Sequence, residues 1–430
     1  MNRFESVFVA TVAVTVALGG GACVEVPEAG EAESELSREA LLEELYRELP
    51  NSLPIANARG FAASFSAAGS VDLDNAFFTP QGKNGRHCGT CHRPEDGWSI
   101  NGPTVTELFL RTDGLHPIFA GHFDTDTPAA KMDTVEERWN ATTMLRQGLF
   151  TRLVKPPVSR DYDVTGASDP FGVGTTESLF WFRRPMPTAG LRSHTVNWDG
   201  ANTVGTSLAE GLKKQARGNI VGAQEGPPPS DAVLQEIADY ELGISHAQII
   251  VMGAGRLDAD GARGGPAHAA AQPLTAGRFD LFDAWERSDN SRRRQIWRGQ
   301  QVFNGVGTNR RCGGCHNAAN NGQHAGGALF DIQTSRPDLA PGRAVYELTS
   351  RVTGEVVKTT DPGQGIRDGQ FAHLGKLKVP NLRGLVSRAP YFHNGIAADL
   401  LAVVRHYERE LGFVYSPTQE ADLVAFLEAL

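Results

Sequence analysis

The chain has 430 residues, of which 40 % are hydrophobic and 21 % charged, and its formal net charge is −9 at pH 7. This length and composition are typical of a soluble globular protein with two or three domains. The negative charge argues against a nucleic-acid partner, because binding nucleic acid requires a basic surface.

The N-terminus has the pattern of an export signal. Arg3 precedes an apolar stretch, and small residues then lead to Cys23. We therefore expect a signal peptide at residues 1–22 and a location in the periplasm. Cys23 stands where bacterial lipoproteins are cleaved and acylated, so a membrane-anchored lipoprotein is the alternative to a fully released protein. The Glu-rich residues 23–56 are expected to form an acidic linker.

Two copies of the pattern C-x-x-C-H use four of the five cysteines. This pattern is the attachment signature of c-type haem, in which two thiols bind the haem vinyl groups and the histidine ligates the iron. A thioredoxin-like pair needs no trailing histidine, and a zinc ribbon has its cysteine pairs much closer together. We therefore expect two covalently bound c-type haems. The motif residues are Cys88, Cys91 and His92 in the first copy and Cys312, Cys315 and His316 in the second.

The two motifs predict a mainly α fold with two cytochrome c-like haem domains, long loops and insertions. We assign residues 57–290 to an N-terminal haem domain and residues 291–430 to a C-terminal haem domain. Insertions rich in Pro, Gly, Asp and Ala interrupt the first domain at 155–180 and 226–275. A helix is predicted from Ser230 to about Tyr240 inside the second insertion.

The C-terminal domain has clear helix signals at both ends. A helix is predicted at 292–303. A second helix is predicted to start at Ser416, an N-cap residue followed by proline. Gly299 would allow these two helices to cross closely, as in the cytochrome c fold.

The ligand on the side of the iron opposite each motif histidine determines whether the haem transfers electrons or binds peroxide. None of the five methionines follows Cys312, so a methionine from a later loop does not cap the second haem. The residues alone leave a tyrosine or one of several histidines as its sixth ligand. Those histidines are His324, His373, His393 and His406.

Three stretches of the C-terminal domain resemble bacterial dihaem cytochrome c peroxidases and MauG-type enzymes. They read K-V-P-N-L-R-G-L at 378–385, A-P-Y-F-H-N-G at 389–395 and V-V-R-H-Y at 403–407. In that family a ligand follows the histidine of the second stretch by fourteen residues, and it is methionine in the peroxidases and tyrosine in MauG. The fourteenth residue after His393 is Tyr407.

The resemblance therefore implies that His316 and Tyr407 ligate the second iron and that His393 lies in its haem pocket. A phenolate ligand would lower the potential of this haem. The alternative for Tyr407 is packing on the haem edge without ligation.

The resemblance also implies a peroxide site at the first haem. Gln215 would orient peroxide, and Glu225 would act as a general acid–base. The family has a proline four residues after the glutamine, whereas this chain has Asn219. The alternative is an exposed glutamine near a helix end and a loop glutamate.

Two further family features match less closely. Trp198 corresponds to the tryptophan that relays electrons between the haems, although it lies farther from Gln215 than in the family. Asn140 corresponds to an asparagine that binds calcium together with the backbone carbonyls of Arg388 and Pro390. We accordingly expect two haems and keep one calcium ion as a further expectation.

The whole pattern predicts a periplasmic dihaem oxidoreductase that reduces hydrogen peroxide. Its electrons would come from a small redox protein, a cytochrome or copper protein, or from a protein side chain as in MauG. A homodimer and a lipid anchor stay open. The rival is a non-enzymatic electron-transfer cytochrome with both irons six-coordinate. In that case the first haem would be capped by His116, His122, Met132 or Met144.

Overall fold

The computed structural model describes residues 47–121, 125–271 and 273–430. The predicted signal peptide, Cys23, most of the acidic linker and His122 lie outside the described residues. The α-helices of the described part are α1 Gly102–Thr112, α2 Val135–Ala141, α3 Leu208–Gly222, α4 Asp231–Gly243, α5 Pro266–Ala271, α6 Ser291–Phe303, α7 Gly365–Asp368, α8 Leu400–Leu411 and α9 Pro417–Leu427.

The strands of the described part form small sheets. They are β1 Glu48–Pro50, β2 Ile55–Asn57, β3 Gly60–Ser66, β4 Ser70–Asp72, β5 Phe150–Val154, β6 Tyr162–Ser168, β7 Leu179–Arg183, β8 Ile244–Val251, β9 Gly255–Arg256, β10 Leu329–Phe330, β11 Val345–Ser350, β12 Val356–Thr359 and β13 Leu377–Lys378. The strand orders are β2-β3-β8-β9, β12-β11-β6 and the pairs β1-β4, β5-β7 and β10-β13.

The prediction of a mainly α fold is wrong. The structure is 33 % helix and 18 % strand. Much of the strand content comes from the segments that were predicted to be loop-like insertions. In the sheet β12-β11-β6, Tyr162 lies opposite Ser350 in the antiparallel register. The local sequence can show the alternation of a strand, as in β11, but it does not show which distant strand is its partner.

The second haem region, residues 291–430, is built on two crossing helices. Helix α6 begins after the N-cap Asn290, and α9 begins after Ser416, which forms a capping box with Gln419. Both helices were predicted, and both are confirmed. A Cβ atom placed on Gly299 would lie 1.8 Å from the carbonyl oxygen of Asp422, so the helices cross with no room for a side chain.

The core of this region also includes residues that precede residue 291 in the sequence. Buried aromatic side chains from the preceding segment pack against α6 and α9, among them Phe279, Phe282 and Trp285. The rings of Phe279 and Phe426 meet edge to face at 5.4 Å. Aromatic burial of this kind is a large part of core stability.

The first haem region consists of residues 76–118 with α3 and α4, and both helices follow its motif in the sequence. Helix α4 starts after the N-cap Ser230, which confirms the predicted helix. Its buried face contributes Leu234, Ile237 and Tyr240 to a core that also contains Phe77 and Trp98. No helix in the described residues is long and apolar enough to span a membrane.

Both segments predicted as insertions bind other parts of the chain. Strand β8 pairs with β3 over seven residue pairs, from Gly60 opposite Val251 to Ser66 opposite Ile244. The hydroxyl of Tyr346 in β11 donates to the carbonyl of Phe180 in β7 at 3.0 Å. The sheet segments therefore connect the second haem region to residues that precede α3.

We predict that Gly299→Ala destabilises the protein by about 1–3 kcal/mol, because the added methyl group forces α6 away from α9. Chemical denaturation of the haem-containing protein measures the change in free energy of unfolding. Gly218→Ala in α3 is the matched control, since nothing lies within 4 Å of its Cβ position. That control should be neutral or stabilising by up to about 1 kcal/mol. Equal effects of the two substitutions would contradict the close crossing.

Candidate haem sites

The two C-x-x-C-H motifs adopt the same local structure. Each forms a short 3-10 turn, over Cys88–Thr90 in the first copy and Cys312–Gly314 in the second. The amide of the motif histidine bonds to the carbonyl of the first motif cysteine at 3.0 Å in both copies. The two motifs therefore share one backbone turn and one hydrogen bond.

Each motif histidine is oriented by a backbone carbonyl six residues later. His92 Nδ1 lies 2.9 Å from the oxygen of Trp98, and His316 Nδ1 lies 2.6 Å from the oxygen of Gly322. Since the carbonyl can only accept, Nδ1 carries the proton and Nε2 is left as the basic nitrogen. This is the arrangement that second-shell partners impose on metal-binding histidines.

Burial keeps both imidazoles neutral. It lowers the pKa of His92, and it lowers the pKa of His316 to about 4. Burial also raises the pKa of the Cys312 thiol to about 11. A neutral imidazole is the form that ligates iron, so the electrostatics of the two motifs fit a haem.

A cavity of about 470 Å³ opens beside the second motif. Its walls are mainly apolar and include both motif cysteines and His316, which fits a large flat apolar cofactor bound through thioethers. The other wall residues include Trp198, Phe303, Phe330, Ile332, Leu377, Val379, Pro380, Leu382, Tyr391, Phe392, His393, Leu400, Val403, Val404, Tyr407, Leu411, Phe413, Tyr415, Leu423 and Leu427.

Tyr407 lies on the wall of this cavity and projects from α8. The phenol contacts the rings of Phe392 and Phe413, with ring centres 6.2 and 5.8 Å away. Burial raises the pKa of its hydroxyl, so a phenolate here requires a nearby cation, which a ferric iron would supply. The structure thus puts Tyr407 and His316 in one cavity, while its ligation to iron stays a prediction.

The alternative histidine ligands of the second haem are arranged differently. His406 bonds to the carbonyl of Ile332 at 2.8 Å, and His373 bonds to Asp368 at 2.7 Å. Neither belongs to the cavity wall, whereas His393 does. Burial lowers the pKa of His393 to about 4, so it is neutral as well.

Trp198 lies on the wall of the same cavity. Its indole Nε1 donates to the carbonyl oxygen of Arg184 at 2.8 Å, and its ring meets that of His393 at 6.3 Å. The predicted electron relay is therefore held in a fixed orientation beside the second haem site.

Gln215 occupies the helix position in the first haem region that Tyr407 occupies in the second. Helix α3 starts after the N-cap Ser207, and α8 starts after the N-cap Asp399. Gln215 and Tyr407 are each the eighth residue after their cap. The fifth residues are both buried in a core, and they are Leu212 and Val404. The two helices thus carry a half-buried amide and a half-buried phenol at one repeated position.

Glu225 is exposed in the turn that follows α3, with a backbone φ of 56°. Its neighbour Gln224 is buried and reaches toward the first motif, with Nε2 3.9 Å from Cys88 Sγ. The same turn packs tightly on the chain before the motif, since a Cβ on Gly82 would meet the carbonyl of Gln224 at 1.7 Å. The acid–base role of Glu225 stays a prediction.

Glu241 is a buried carboxylic acid that the sequence interpretation missed. It is 4 % exposed, and in its ionised form it would raise the pKa of the Cys88 thiol. Burial raises the pKa of Glu241 to about 8, so it is protonated at neutral pH. A sequence signal existed, because Glu241 follows Leu234 and Ile237 on the buried face of α4 at helical spacing.

The structure describes three of the residues predicted as possible sixth ligands of the first haem, and their surroundings differ. His116 is buried, accepts a bond from the amide of Ile118 at 3.2 Å, and has no described partner for Nε2. Arg86, two residues before Cys88, donates to the carbonyls of Pro117 and Ile118, so His116 lies near the first motif. The sulfur of Met144 instead accepts a bond from Arg343. Met132 is half-buried before α2.

The residues expected to bind calcium do not converge on a free site. Asn140 is exposed near the end of α2. The carbonyls of Arg388 and Pro390 both accept hydrogen bonds from the guanidinium of Arg184. The donor set in this structure therefore does not fit a calcium ion.

Known proteins with related sequences are peroxidases. The chain is 25 % identical to the cytochrome c551 peroxidase of Nitrosomonas europaea over 260 residues, which cover 58 % of this chain and 66 % of that protein. It is 32 % identical to the cytochrome-c peroxidase IdrP2 of Denitromonas iodatirespirans over 146 residues, which cover 31 % and 38 %. The alignments thus span less than two thirds of these relatives. No protein-family model matches the chain.

A solved structure of a MauG-like protein associated with microbial copper homeostasis covers 60 % of this chain and 76 % of its own length. Its sequence identity is 16 % and its TM-score is 0.35, values too low for a comparison of folds. The named relatives imply c-type haem as the cofactor. The chain is thus similar in sequence to cytochrome c peroxidases, and its two haem motifs are consistent with that similarity.

Proposed function

We propose that the protein is a dihaem c-type oxidoreductase that reduces hydrogen peroxide. The electrons come from a small redox protein, a cytochrome or a copper protein, or from the side chain of a protein substrate. The peroxidase names of the sequence relatives support the reaction class. The proposal also includes export to the periplasm, with Cys23 as a lipid anchor if the lipoprotein alternative applies.

One observation carries the proposal. The two haem regions share a motif turn, a carbonyl-bound histidine and a capped helix, yet the repeated helix position holds Tyr407 in one and Gln215 in the other. Tyrosine is a known haem ligand, whereas an amide is not among the usual ones. In this proposal Gln215 would leave the first haem open to peroxide, whereas Tyr407 would hold the second haem, which would store or pass electrons.

The side chains have separate roles in this proposal. The haems supply the redox chemistry when bound. Gln215 orients peroxide through its amide, and Glu225 takes and returns a proton. Trp198, fixed by its bond to Arg184, conducts electrons beside the second cavity.

A second candidate function is an electron-transfer cytochrome without enzymatic activity. The observation that favours it is the buried Nε2 of His116, which has no described partner near the first motif. If His116 ligated the first iron, that haem would be six-coordinate. Paramagnetic resonance of the oxidised protein separates the two candidates, since an open iron gives a high-spin signal and a capped iron a low-spin one.

We predict that Tyr407→Phe raises the reduction potential of the second haem, because the substitution removes the phenolate ligand that stabilises ferric iron. Spectroelectrochemical titration measures both haem potentials in one experiment. Tyr415→Phe is the matched control, since Tyr415 lies on the same cavity wall with its hydroxyl 3.6 Å from Cys312 Sγ. A larger shift in the control than in Tyr407→Phe would show that Tyr407 is not the ligand.

We predict that Glu225→Gln lowers the rate of peroxide turnover by roughly 10²-fold or more, the usual contribution of a general acid–base. Steady-state turnover with a reduced cytochrome gives the rate. Glu210→Gln, at an exposed position in the first turn of α3, should leave the rate unchanged. An unchanged rate for Glu225→Gln would remove this residue from the mechanism and direct attention to Glu241.

A further inference from the structure

Arg184 joins the backbone of the two haem regions through one buried guanidinium. Its NH2 group donates to the carbonyl of Ile100 at 2.5 Å, in the first haem region. Its NH1 group donates to the carbonyl of Arg388 at 2.6 Å and also to that of Pro390, in the second haem region. The side chain is therefore a bridge that neither region completes alone.

The partners of this guanidinium are backbone carbonyls. Within the described part of the chain, no carboxylate forms an ion pair with Arg184. Several carbonyls converging on one positive charge are typical of a hard-cation site. Burial lowers the pKa of Arg184 to about 10, so the group is still charged at neutral pH.

The main chain of Arg184 holds the backbone of one cavity residue and the side chain of another. Its amide donates to the carbonyl of His393 at 2.6 Å, and its carbonyl accepts the indole N–H of Trp198 at 2.8 Å. Any displacement of the guanidinium would therefore displace the acceptor that orients the indole.

We propose that Arg184 is a built-in cation between the two haem regions that positions Trp198, and that haem–haem electron transfer does not depend on calcium. Arg184 is a positioning residue, since it acts through Trp198 and the chain segment at 388–393. The role of Trp198 as a relay rests on the proposed function. The position of the Arg184 guanidinium is independent of the proposed function, because it depends only on the backbone carbonyls that surround it.

The first arm of the test uses the wild-type protein with both haems bound. Its metal content is measured by elemental analysis, and its melting temperature and haem–haem electron-transfer rate are measured before and after dialysis against a calcium chelator. The expected result is no stoichiometric calcium and no change in either quantity. This arm does not require peroxide turnover, so it is informative even if the peroxidase proposal fails.

The second arm compares Arg184→Gln and Arg184→Lys with the control Arg192→Gln. The guanidinium of Arg192 also donates to backbone carbonyls, those of Leu191, Leu242 and Ala270, and all three precede the second haem region. The backbone amide of Arg192 donates to Gln323, a bond that the substitution leaves in place. We expect Arg184→Gln to slow haem–haem electron transfer by about tenfold or more, as for a displaced relay. Arg184→Lys should keep part of the rate, and the control should keep all of it.

The outcomes are decisive in both arms. One calcium per wild-type chain, with a slower rate and lower melting temperature after chelation, would overturn the proposal. So would an unchanged electron-transfer rate in Arg184→Gln. If Arg184→Gln fails to fold, Arg184→Lys and the wild-type chelation experiment still show whether the cation between the two haem regions is the Arg184 side chain or a bound calcium ion.

Discussion

Each haem site depends on a hydrogen bond that the motif itself does not contain. The imidazole of His92 is fixed by the carbonyl of Trp98, and that of His316 by the carbonyl of Gly322. These bonds select the tautomer whose free nitrogen can ligate iron. Because both acceptors lie six residues after the histidine, the loop that follows the motif is as much a part of the site as the cysteines.

The repeated unit explains why the two sites are similar in construction and unequal in chemistry. A capped helix carries a phenol in one region and an amide at the corresponding position in the other, at Tyr407 and Gln215. The strands between the helices, and the guanidinium of Arg184, then connect the two units. The difference at this helix position and the connection between the two units are consistent with the proposed dihaem oxidoreductase.

The sequence predicted what local pattern encodes. The helices α4, α6 and α9 and the crossing at Gly299 follow from caps, periodicity and a missing side chain. The sheets were not predictable in this way, because β6 finds its partner in β11 near the other end of the chain. The contacts of Arg184 could not be predicted from the sequence either, because every residue type has the same backbone carbonyl. The burial of Glu241 could have been predicted, because it is an acidic residue on an otherwise apolar helix face.

The central claim is that two haems are covalently bound to one chain. Intact-mass measurement of the denatured, exported protein tests it most directly, because thioether-linked haem survives unfolding. The account predicts the mass of the polypeptide plus two haems. A mass that shows one haem or none would contradict it.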